Sequence, residues 1–144
     1  MEIQTSRFGN ISVQEEKVIL FPKGILGFSQ NKRYVLFPHA EKSPFYWLQS
    51  VEDGGVAFVV MSPRLVKQDY AVNVEDSLLR ELEAGEMSEL EVMCIVNIPH
   101  DQPDRMTINL LGPIVINVNK RCAVQIICPE ESYSHRHPVI ADMG

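Results

Sequence analysis

Two apolar runs in the stretch Thr107–Asn117 are separated by a single Gly112-Pro113 step. Pro113 lacks an N–H and has a fixed φ, and the residue ahead of a proline is driven out of the helical region. No helix can run through this step. Met106–Leu111 and Ile114–Val118 are rich in branched side chains and short, the character of buried strands. Asn119-Lys120-Arg121 then turns the chain into a third apolar run, Cys122–Cys128, so three strands are expected side by side. Asn109 and Asn117, the polar residues inside this segment, must find hydrogen-bond partners or face solvent.

The rest of the chain repeats the theme of short apolar runs cut by turns. Ile3–Thr5 and Ile11–Val13 flank Phe8-Gly9-Asn10, a hairpin or tight loop. Val18–Phe21 is a compact strand ended by Pro22, and Tyr34–Phe37 another ended by Pro38. The glycines of Lys23-Gly24-Ile25-Leu26-Gly27-Phe28 do not form a phosphate cradle, because no helix opening with Lys-Ser/Thr follows them. They are turn positions that let Ile25, Leu26 and Phe28 pack. In Pro44–Ser50, strand alternation puts Phe45 and Trp47 on one face and Tyr46 and Leu48 on the other. Either this strand is buried on both faces or one aromatic pair lies on a binding surface. Burial is the ordinary outcome for an aromatic strand.

Glu52-Asp53-Gly54-Gly55 is a turn, Val56–Met61 a strand, and Tyr70–Val74 alternates as a half-buried strand does. One helix follows. Asp76 or Ser77 can cap it, Leu78, Leu79 and Leu82 share a face, and Gly85 stops it. At about two turns it must dock on the sheet to be stable. Leu90–Ile98 is a further strand. These elements make a mainly-β fold, a small closed antiparallel barrel or barrel-like sandwich with one short helix. It is read as a single domain over 1–133, and the aperiodic tail 134–144 is expected to be mobile.

No run of 18 apolar residues occurs in the 144, so no transmembrane helix is expected. The first residues lack the basic and apolar regions of a secretory signal. Three scattered cysteines do not make a disulfide framework, and a cytoplasmic location is expected.

The net charge of −6 has one address. Glu75, Asp76, Glu81, Glu83, Glu86, Glu89 and Glu91 are accompanied only by Arg80, and the remainder of the chain balances. Such a segment repels nucleic-acid phosphate and attracts a basic partner, or it is a solvated helix surface. Catalytic signatures are missing. Cys94, Cys122 and Cys128 sit in apolar runs where a thiol behaves as a small hydrophobe. His135 and His137, with Cys128 upstream, lack the spacing of a metal site, and no cofactor or metal is expected. Neither nucleic acid nor membrane is expected as a direct partner, and a protein-binding protein is the class that remains.

Three motifs then stand together: Phe21-Pro22-Lys23-Gly24-Ile25-Leu26-Gly27-Phe28, Phe45 through Leu48-Gln49-Ser50, and Thr107-x-Asn109-Leu110-x-x-Pro113-Ile114 with Asn117. Their order and spacing, from Ile3 to Tyr133, resemble the FliW family of flagellar assembly factors. That resemblance implies a bacterial cytoplasmic barrel-like protein without catalysis. It implies binding to flagellin, near its terminal helical region, which prevents premature assembly. It also implies binding to CsrA, a small basic RNA-binding dimer that blocks translation of flagellin mRNA. Flagellin and CsrA compete, so secretion of flagellin frees the factor to bind CsrA and translation resumes. Glu75, Asp76, Glu81 and Glu83 are the candidates for CsrA, since a −6 segment suits a basic dimer. Phe45, Trp47, Leu48 and Gln49 are the candidates for an amphipathic flagellin helix, with Asn109 supplying a hydrogen bond. The alternative is a small barrel binding RNA or a small molecule, which would call for a basic groove or a polar cavity.

Overall fold

The computed structural model describes residues 1–129 and 133–139 of the chain. Strands β1 (Glu2–Thr5) and β2 (Gly9–Ser12) form a separate antiparallel hairpin. β3 (Ile19–Leu20), β4 (Arg33–Pro38), β5 (Phe45–Ser50), β6 (Ala57–Met61) and β7 (Leu90–Asn97) are successive neighbours in one sheet. β8 (Thr107–Ile108) lies beyond β7, and β11 (His137–Pro138) beyond β8. β7 also pairs with β9 (Ile114–Asn117), β9 with β10 (Cys122–Gln125), and β10 with β3. The ring β7-β6-β5-β4-β3-β10-β9 closes on itself, the mainly-β barrel expected from sequence. Every pairing round it is antiparallel except that of β10 with β3, where Cys122 stands opposite Leu20.

The strands read as unbroken apolar runs because both of their faces are covered. Successive side chains leave a strand on opposite sides. Val60, Met93, Ile114, Ile116 and Ala123 point into the barrel, where they meet Ile19, Tyr34 and Leu48. Met61, Cys94, Val115 and Val124 point outward into a second core with Tyr70, Val72, Leu78, Leu82, Ile108 and Leu110. Each large side chain so buried contributes about 1.5–3 kcal/mol. The loop that carries Gly24 buries Ile25 in the inner core. Gly24 sits at φ +67°, and a Cβ there would stand 2.7 Å from the Ser29 Cα, so no other residue fits.

The outer core is roofed by the connection from β6 to β7, which carries the helix α1 (Asp76–Glu81). Here four expectations need correcting. Tyr70–Val74 is not a strand. Tyr70 and Val72 are buried as its alternation requires, but the main chain of Ala71 bonds the Tyr133 hydroxyl at 3.1 and 3.2 Å, not a neighbouring strand. The start of α1 is flanked by Glu75 with no side-chain cap bond, so neither Asp76 nor Ser77 caps it. Its end is set by Glu83, at φ +54°, two residues before the glycine expected to stop it.

The fourth correction concerns Met106–Leu111, of which only Thr107–Ile108 is strand. Asn109 ends it, its side-chain oxygen accepting the N–H groups of Leu111 and Gly112 at 3.1 and 3.0 Å. β8 and β9 are therefore not neighbours. Both pair with β7, at successive stretches along the same side. The part of the tail that is described makes contacts with the barrel. His137 pairs with Ile108, Val139 is buried in the outer core, and Ser134 accepts the Leu110 N–H at 3.0 Å. The remaining tail residues, 140–144, lie outside the described residues.

Candidate functional site

The acidic surface is built by α1 and the turn after it. Leu78 and Leu82 anchor the helix in the outer core, which turns Glu75, Asp76, Glu81 and Glu83 to solvent. The Leu82 carbonyl, left free at the helix end, accepts the Asn117 side-chain amide at 2.8 Å and the Cys122 thiol at 3.5 Å. Among the described residues, Glu81 is the one acid of the 75–91 segment in an ion pair, with Lys23 at 2.9 Å. The other carboxylates project their field outward, so the surface is ready to steer a basic partner. All four residues singled out for CsrA are exposed on α1 and its flanking residues.

The five residues singled out for flagellin are not brought together. Phe45 and Trp47 do lie on one outer face, as alternation requires. Phe45 is half-buried against the outer core. Trp47 is held by three neighbours that nothing in the sequence pairs with it. Phe8 of the β1–β2 turn meets it edge-on at 5.2 Å, His39 stacks at 5.9 Å, and the Arg7 guanidinium sits 4.7 Å from its ring centre. Beside it runs a groove of about 560 Å³ floored by Val59 and Val96 and rimmed by Ile98 and His100. Leu48 is 1% exposed and lies inside the barrel. Gln49 has no exposed surface, and its amide donates to the carbonyls of Ser50, Gly54 and Val56, closing the β5–β6 turn. Asn109 is committed to its own turn. It follows β8, three strands from Trp47, or about 14 Å at ordinary strand spacing.

The thiols are set up as hydrophobes. Burial pushes Cys94 up to about 12 and raises Cys128. Burial and the nearby Glu83 carboxylate raise Cys122. At neutral pH all three stay protonated and weakly nucleophilic. Among the described residues no three His, Cys, Asp or Glu side chains are gathered to hold a metal ion. The barrel interior is filled by Phe21, Tyr34, Leu48 and Ile114 rather than open to a ligand.

The chain matches the FliW protein family over residues 2–140. It belongs to the FliW family. The flagellar assembly factor FliW of Magnetococcus marinus is 39% identical over 142 residues, covering 99% of this chain and 86% of that protein. That of Leptospira interrogans is 38% identical over 140 residues, covering 97% and 93%. A crystal structure of the flagellar assembly factor FliW superposes with a TM-score of 0.88 at 31% identity, covering 97% of each chain. The fold is thus shared over nearly the whole chain. As a FliW protein the chain is a flagellar assembly factor, a regulatory protein whose partners belong to the flagellar system.

Proposed function

We propose that this FliW-family protein binds flagellin in the cytoplasm and, when flagellin is depleted, sequesters CsrA so that flagellin translation resumes. The observation that carries the reading is the outward-facing acidic surface of α1, its carboxylates mostly free of cation partners. A small basic RNA-binding dimer presents the complementary field, and capture on this surface competes with phosphate for the same charges. Glu75, Asp76, Glu81 and Glu83 are the contacts proposed for CsrA. For flagellin, Phe45 and Trp47 are the proposed apolar contacts, with the groove beside Trp47 able to take one face of an amphipathic helix. Asn109, which borders a different cavity, is a separate polar contact. Leu48 and Gln49 support that surface from beneath.

The test is a calorimetric titration with CsrA, repeated after saturation with flagellin. Binding that disappears in the presence of flagellin supports the switch. Binding that persists unchanged refutes competition, and no binding to either partner refutes the proposal.

A further inference from the structure

β6 leaves the barrel before β7 has finished. Its last ladder partner is Met61, opposite Cys94, and Pro63, which has no N–H to give a ladder, opens the short 3-10 turn Pro63–Leu65. Leu90–Met93 of β7 therefore pair with β9 on one side and have no strand beside them, among the described residues, on the other. The Ile95 carbonyl accepts the Asn109 N–H at 2.9 Å on the β8 side, so alternation turns the N–H and C=O of Val92 the opposite way, into the gap. A fully closed barrel has no edges. This one keeps a short edge.

The gap is a cleft with a cavity on each face of that edge. The outer one, of about 420 Å³, is bounded by Pro63, Met87, Leu90 and Val92. The other, of about 400 Å³, is bounded by Tyr46, Leu65, Glu91 and Met93. Ser62 and Val92 border both. Two large apolar side chains stand exposed at the rims, Leu65 at 52% and Met87 at 46%. Glu91 is exposed, has no cation partner among the described residues, and belongs to the segment that carries the chain's net charge.

We infer that this cleft takes an extended segment of a partner, added as a strand to the edge of β7, in which apolar side chains alternate with lysine or arginine. Main-chain bonds to Val92 hold it. The period of two sends its apolar side chains to Met87, Leu90 and Val92, and its basic ones across to Glu91. Glu86 and Glu89 beside the cleft repel an acidic strand of the same shape. The inference goes beyond the assignment of flagellin and CsrA and depends on neither.

The test uses the intact protein and a capped heptapeptide of alternating lysine and valine, with a glutamate–valine heptapeptide as its counterpart. Amide exchange is followed by NMR. The lysine peptide is expected to slow exchange at Val92 at least tenfold and to shift the resonances of Leu65 and Met87, while the glutamate peptide does neither. Glu91→Lys, at an exposed position, is expected to keep the parent melting temperature and lose at least tenfold in affinity for the lysine peptide. Equal response to both peptides, protection elsewhere than Leu90–Met93, or no response overturns the inference. Neither CsrA nor flagellin enters this experiment, so its failure leaves the proposed switch standing, and failure of the switch leaves the cleft standing.

Discussion

Asn117 holds the end of α1 from within the barrel wall: its side-chain amide donates to the Leu82 carbonyl at 2.8 Å, with both residues buried. Its oxygen accepts the Lys120 N–H at 3.2 Å, so one side chain ties the helix, β9 and the β9–β10 turn together. Asn117→Ala leaves the helix-end carbonyl without this donor. The expected loss is about 1–3 kcal/mol in a urea titration. Amides of α1 should also exchange faster than those of β4 and β5. An unchanged midpoint would show that the bond contributes nothing.

Leu110 is fully buried in the outer core, and its carbonyl accepts the Tyr70 hydroxyl at 2.7 Å. A carboxylate at this position is unpaired and out of water, a change that costs more than about 4 kcal/mol. Leu110→Asp should therefore abolish the cooperative melt rather than only block a partner. A folded variant with the parent melting temperature would contradict the packing.

Alkaline pH should unfold the protein through buried groups. Burial holds the Cys94 thiol at about 12 against an ordinary 9.0, and burial with the nearby Glu52 charge holds the Tyr34 phenol at about 12 against 10.0. Burial and neighbouring thiols raise Tyr70 further. In each case the folded state binds its proton more tightly than the unfolded chain does. The stabilisation is complete below the unfolded pKa and is lost as pH rises through the folded one. These groups should leave stability flat from pH 7 to 9 and make it fall from 9 to 12. Cys94→Ala should flatten the first part of that fall. A Cys94→Ala profile parallel to the parent between pH 9 and 10 would exclude the thiol as a cause.

Glu81 and Glu83 are exposed, and the Glu81–Lys23 pair is a surface contact worth about 0–1 kcal/mol. Reversing both charges to lysine should leave the melt nearly unchanged. It should weaken CsrA binding about tenfold or more and flatten its salt dependence. Unchanged affinity would remove the acidic helix from the interface.

Much of this was legible along the chain. The Asp53-Gly54-Gly55 turn and the alternation of Phe45 through Leu48 each settle something within a few residues and appear in the structure as read, whereas the strand before Gly112-Pro113 ends earlier, at Asn109. The acidic surface was equally legible, because charge kept on a short amphipathic helix must face water. Leu48 and Gln49 were less so. Alternation sorts side chains onto two faces, but it does not say which face a second core will cover or how deeply. Arg7, Phe8 and His39 come to Trp47 from turns far along the chain, and no local signal pairs them.

The sequence by itself determined most of the barrel strands, the presence of one short helix and the location of the charge, since each follows from backbone sterics, side-chain period or solvation over a few residues. Only the tertiary structure decided that β8 and β9 share one side of β7, that Tyr70–Val74 crosses the outer core without a strand partner, and that β6 stops short and leaves Leu90–Met93 an open edge. Those outcomes depend on how a twisted sheet closes on itself. Closure fixes the register between strands distant in sequence, and no local preference encodes that register.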